Sequence, residues 1–96
     1  MTELRFAWDP RKAKSNEQKH GVSFDEAATI FFDEHALLVE DEDHSVKEER
    51  FILLGLSISL RLLVVVHALP GKDVIRIISA RKANRLETRE YEDRLR

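Results

Sequence analysis

The sequence predicts an α+β domain in which an antiparallel meander sheet packs against two N-terminal helices and is followed by a C-terminal helix. Three observations carry this expectation. Apolar runs at 51–56, 62–68 and 74–80 are separated by Ser57-Ile58-Ser59 and Pro70-Gly71-Lys72-Asp73, the turn chemistry of consecutive antiparallel strands. Two helix starts, Asp9-Pro10 and Ser23-Phe24-Asp25-Glu26, stand before them. Asn84, with Glu87 three residues later, opens a last helix after them.

At 96 residues the chain is expected to form one domain, 1–96, with one core. Leu4, Phe6 and Trp8 alternate with Arg5 and Ala7, as in a short strand with one face buried. The helix from Pro10 to about His20 has only Ala13 as an apolar interior residue, so Trp8 and Val22 at its ends must help to hold it. Gly21 suits the left-handed position that ends it. In the next helix Phe24, Ala27, Ala28 and Phe31 form one apolar stripe. Ala36 to Val39 reads as the first strand after the helices, and Glu40 to His44 as an exposed loop, because consecutive carboxylates repel. Leu62 to Val66 is apolar at every position, which marks a central strand covered on both faces. Leu86 and Leu95 give the last helix a thin apolar contact.

A net charge of −2 hides a strong segregation. Residues 1–24 carry five basic and three acidic side chains, residues 25–49 one and ten, and residues 50–96 ten and five. A basic half beside an acidic belt suits an anionic ligand on one side and a cationic partner on the other. Arg76 set among Ile75, Ile77 and Ile78, and Arg81, Lys82 and Arg85 crowded around a helix start, point to phosphate, since charged side chains are rarely buried without a partner. With no cysteine there is neither a disulfide framework nor a thiolate site. No apolar run approaches a membrane span and Met1 to Trp8 is too polar for a signal peptide, so a cytoplasmic protein is expected.

W-D-P-R-K-A-K-S-N-E-Q-K-H-G-V-S-F-D-E-A-A at 8–28, E-R-F-I-L-L-G at 49–55 and I-R-I-I-S-A-R-K-A at 75–83, with Tyr91 after them, resemble the BrnT family, toxins of bacterial type II toxin–antitoxin systems. The resemblance covers nearly the whole chain. It implies a RelE-like fold, a ribonuclease that arrests translation, and a BrnA-like antitoxin carrying a ribbon-helix-helix domain, through which any contact with operator DNA would be made. A non-catalytic module completing an antitoxin–DNA repressor complex is the alternative.

RNA supplies its own nucleophile, the 2′-hydroxyl, so a ribonuclease without metal or cofactor needs a base, an acid and cations for the phosphate. The candidate catalytic residues are His67, Arg76, Arg81 and Glu49. His67 and Arg76 lie on neighbouring strands and face each other if their registers agree; Arg76 and Arg81 have opposite parity and converge only if the strand bulges near Ser79. Arg76 could instead pair with Glu49 or another acidic residue, and Arg81 could close the helix entry with a salt bridge. Arg50 and Lys82 are candidate RNA contacts, as are Lys12, Lys19 and His20, which share a helix face with Asn16. Arg85 and Arg89 form a basic stripe with Arg96 and are the candidate antitoxin contacts. Asp41, Asp43 and His44 read as solvated loop residues rather than metal ligands.

Overall fold

The computed structural model describes residues 3–40, without the side chain of Glu40, and residues 48–96; Asp41, Asp43 and His44 lie outside them. A short strand β1 (Arg5–Ala7) leads to helix α1 (Pro10–His20) and helix α2 (Phe24–Thr29), which ends in a 3-10 turn at Ile30–Phe32. Strands β2 (Leu37–Glu40), β3 (Arg50–Leu56), β4 (Leu62–Gly71) and β5 (Val74–Lys82) and helix α3 (Arg85–Arg94) follow. The strands form one sheet in the order β1-β5-β4-β3-β2, with β1 parallel to β5 and every other pair antiparallel. This is the expected α+β class, and β4 is the central strand.

Local chemistry sets the helix ends. The Asp9 side chain caps α1 with Pro10 in its first turn, and Gly21, at φ 69°, ends it in the left-handed region. Asn84 and Glu87 form a complete capping box on α3. The expected box on α2 is only half made. Ser23 accepts from the Glu26 backbone N–H, but the Glu26 carboxylate is drawn away to Arg61 and to the Ser57 hydroxyl, at 2.7 Å.

The main core lies between the sheet and the layer of α1, α2 and the 3-10 turn. Val22, Phe24, Ala27 and Ile30 meet Leu53, Leu63, Val65, Ile75, Ile77 and Ala80 there. Burying each large apolar side chain is worth roughly 1.5–3 kcal/mol, so this layer holds the short α2, whose six residues could not form a helix alone. On the other face α3 covers one end of the sheet through Tyr91, which packs on Leu54 and Val64. Leu86 and Leu95, expected to seat α3, are 65% and 50% exposed, and the tyrosine does that work instead.

Both outer strands are short, and side chains close the sheet edges beyond them. β1 pairs with β5 only from Val74 to Arg76; further along, Asn16 accepts from the Ala80 N–H at 3.1 Å and donates to the carbonyls of Ala80, at 2.8 Å, and Val22, at 3.1 Å. β2 stops opposite Leu54, and Asp33 and Thr29 then accept from the N–H groups of Leu56 and Ile58. Unpaired strand edges invite aggregation, and these side chains stand in for the missing strands.

Candidate functional site

The β4–β5 register decides which side chains meet. Val64 pairs with Arg81, Val66 with Ser79, then His67 with Ile77 and Ala68 with Arg76. Ile78 is therefore an extra residue in β5, a β-bulge, and it reverses the parity of the strand. Arg76 and Arg81 consequently point to one face, the face opposite α1 and α2. Arg50 joins them, because it pairs with Ala68 from the other side. Arg50 and Arg76 thus flank one small residue on the central strand, two strand spacings or about 10 Å apart at the backbone. Arg81 lies about 13 Å further along the strand direction.

Each arginine has its own setting. Arg76 is half-exposed and forms an ion pair with Glu48, the residue before Glu49, within the acidic belt. Arg50 has its Nε buried without a hydrogen-bond partner among the described residues. Arg81 is held in a two-point fork by Glu87, each contact 2.9 Å, and Glu87 also accepts from the Asn84 N–H at 2.9 Å. The guanidinium of Arg81 holds Glu87 below its usual carboxylate range, and Glu87 in turn raises Arg81. One carboxylate therefore caps α3 and orients the arginine at the covered end of the face.

The other sequence candidates are placed apart from this face. His67 is 3% exposed and stacks edge-on against Phe31, with ring centroids 4.8 Å apart, beside Phe51. Because Ala68 faces Arg76, its neighbour His67 must point into the helical layer, and the register is not the one in which His67 and Arg76 would face each other. Burial pushes its imidazole below the ordinary value, with only a 3.5 Å contact to the Val65 carbonyl acting the other way. Glu49 is exposed, and Glu48 takes the place beside Arg76. Lys82 pairs with Leu63 and so lies on the helical side, where its charge helps to lower Glu26.

Lys12, Lys19 and His20 line a separate cleft of about 240 Å³ between α1 and β5, with Ser15, Asn16, Ile78 and Ser79. Arg85 and Arg89, exposed on α3, flank Leu86 over a shallow hollow of similar volume. Sequence reasoning missed Glu48, Arg61 and Asp33. Asp33 accepts from the Tyr91 hydroxyl at 2.6 Å as well as from Leu56, and so pins α3 to the sheet. Nothing local in the sequence marks these roles, since the contacts of Asp33 with Leu56, Arg61 with Glu26 and Glu48 with Arg76 span 23 or more residues.

A helical layer on one side of an open sheet, with arginines gathered on the other, defines an α+β domain with an arginine-lined sheet face. The chain belongs to the BrnT family: residues 8–87 match the model described as the ribonuclease toxin, BrnT, of type II toxin–antitoxin systems. It is therefore a type II toxin–antitoxin toxin of a ribonuclease family, with a protein antitoxin as its partner. Its fold is similar to the crystal structure of the Brucella abortus ribonuclease toxin, BrnT, with a TM-score of 0.67 at 21% identity over 85% of this chain and 99% of that one. No curated protein matches the chain. Among the described residues no helix is long and apolar enough to cross a membrane.

Proposed function

We propose that the protein cleaves RNA by attack of the 2′-hydroxyl on the adjacent phosphate, with the Arg50–Ala68–Arg76 row as its phosphate site. The observation that carries this reading is the bulge at Ile78, which brings Arg76 and Arg81 to the face that Arg50 shares through its pairing with Ala68. Guanidinium groups match phosphate oxygens with paired hydrogen bonds and keep their charge at any relevant pH. Two of them across Ala68 would stabilise the charge that builds on phosphorus in the transition state.

Glu48 takes the role that the sequence assigned to Glu49. In the proposed step its carboxylate accepts the 2′-hydroxyl proton, the 2′-oxygen bonds to phosphorus, and the bond to the 5′-oxygen breaks. The products are a cyclic phosphate and a 5′-hydroxyl, the latter protonated from solvent. The ion pair with Arg76 holds the Glu48 carboxylate beside the phosphate site. Arg81, fixed by Glu87, would hold a neighbouring phosphate. No step uses a metal or a cofactor.

The antitoxin, BrnA-like in this proposal, would cover Arg85, Leu86 and Arg89 with an acidic segment that has an apolar anchor, and any operator DNA would be reached through it. Binding of that kind weakens as salt rises. The test of the catalytic reading is inducible expression in a bacterium with mapping of new RNA 5′ ends. Wild type should arrest growth and produce new ends. Arg76→Ala and Glu48→Gln should lose both, by at least about 100-fold in rate, because each removes a group that acts on the transition state. Growth arrest by soluble Arg76→Ala with unchanged RNA ends would overturn the assignment.

A further inference from the structure

The cleft between α1 and β5 is not used by the chemistry proposed above, and lysine and histidine side chains line it. Lys12, Ser15, Asn16, Lys19 and His20 line it from α1, and Ile78 and Ser79 line it from β5. The α1 residues share one helix face by their spacing, so the cleft is a property of that face and not a chance meeting of loops. Lys12 and Lys19 are exposed and form no ion pair with any described carboxylate. Residues 10–20 carry four Lys or Arg and one acidic side chain, Glu17.

The floor of the cleft is rigid. All three hydrogen bonds of the Asn16 amide go to backbone groups of Ala80 and Val22, which locks α1 onto the uncovered edge of β5. Here the bulge has a second consequence. It lies where β1 has ended, and Ile78 and Ser79, the residues that line the cleft, sit on the strand between Arg76 and Arg81. The cleft thus opens at the edge of the strand that carries the arginines.

We propose that this cleft is a second phosphodiester subsite, holding a backbone phosphate of single-stranded RNA next to the one bound on the arginine face. The assignment rests on the reading of that face as the cleavage site. Residues that carry ammonium, imidazole and hydroxyl groups line a space of about 240 Å³, the share of about eight waters at ~30 Å³ each, enough for a phosphate and its ribose. An acidic protein segment is the poorer fit, because a protein interface needs an apolar centre and Ile78 is the one large apolar residue in the lining.

The test uses the full chain and a single-stranded RNA of about 12 nucleotides, within the span of single-strand binding sites, with 2′-O-methyl riboses so that it cannot be cut. Fluorescence anisotropy is measured across a salt series for wild type and for Lys12→Ala/Lys19→Ala, whose melting temperature should match wild type because both lysines are exposed. The double variant should bind roughly tenfold more weakly, and its log–log salt slope should be shallower by about 0.7, the share of the one phosphate that is no longer neutralised. Unchanged affinity and slope would overturn the proposal. So would a loss of antitoxin binding with RNA binding intact, which would give the cleft to the antitoxin. This outcome is separable from failure of the cleavage reading: if unmodified RNA is bound but never cut, the arginine-face chemistry falls, while weakened binding by the double variant still establishes the subsite.

Discussion

His67 shows how one residue of register separates a catalytic group from a packed one. Its neighbour Ala68 faces Arg76, and the pleat sends the imidazole between Phe31 and Phe51 instead. Burial lowers its proton affinity below the reference of 6.5, so the unfolded chain binds a proton that the folded one refuses. The stability that neutral His67 contributes is present above pH 6.5 and declines as pH falls from there toward the folded value. His67→Phe, which keeps an aromatic ring in the same site, should flatten the stability–pH curve below about pH 6.5 and leave RNA cleavage unchanged. Urea melts on either side of that value, at about pH 7.5 and about pH 5.5, read the first effect, and RNA end mapping reads the second. Loss of cleavage in a folded His67→Phe protein would return the histidine to the chemistry. Sequence could name the residue types for an anion site, since Arg76 and Arg81 stand out among apolar neighbours. It could not choose Glu48 over Glu49, because a partner 28 residues away in Arg76 makes that choice.

Elements were legible where their causes are local. The caps of α1 and α3, the turn at Ser57 and the apolar run of β4 were all read from a few adjacent residues. The bulge was legible only as a condition, posed near Ser79 by the opposite parity of Arg76 and Arg81, because V-I-R-I-I-S-A-R fits either parity and only pairing with β4 selects one. The substitute edge bonds of Asn16, Thr29 and Asp33 were not legible. Gly55 is a further case. A side-chain carbon there would sit 3.1 Å from the Ile30 Cβ and 3.3 Å from the Ile30 carbonyl and the Ala36 Cβ. The glycine lets the 3-10 turn lie directly on β3, and that contact sets the path from α2 into β2. Gly55→Val should cost about 1–3 kcal/mol through overpacking, visible as a lower urea midpoint. A midpoint equal to wild type would mean that the 3-10 turn can lift at no cost.

Across the whole molecule, carboxylates tie the separate layers together. Glu26 joins α2 to the β3–β4 turn through Arg61 and Ser57, Asp33 joins β3 to α3 through Leu56 and Tyr91, and Glu87 joins α3 to β5 through Arg81. All three are held below their ordinary values. Arginine hydrogen bonds are the chief cause for Glu26 and Glu87; for Asp33 burial pushes upward and is outweighed by the Tyr91 hydroxyl and the N–H groups of Leu56 and His35. Unfolded carboxylates titrate at 4.5 for Glu and 3.8 for Asp, so on acidification the unfolded chain takes up protons first. These ties therefore stabilise fully above about pH 4.5 and are lost as pH drops through the lower folded values. At the alkaline end Tyr91 is pushed up to about 12 by burial and by its bond to Asp33. The unfolded tyrosine ionises near 10 while the folded one does not, so stability is present below pH 10 and is lost as pH rises toward 12. The melting temperature should consequently form a plateau between about pH 6.5 and 10, with falls on both sides. Tyr91→Phe should lower the plateau, since it removes a partly buried hydrogen bond to a carboxylate worth about 1–2 kcal/mol, and should remove its part of the alkaline fall. Glu26→Gln should lower the plateau and flatten the acid limb. An alkaline limb identical in wild type and Tyr91→Phe would show that the Asp33–Tyr91 bond does not fasten α3, and with it Arg81 and Glu87, to the sheet.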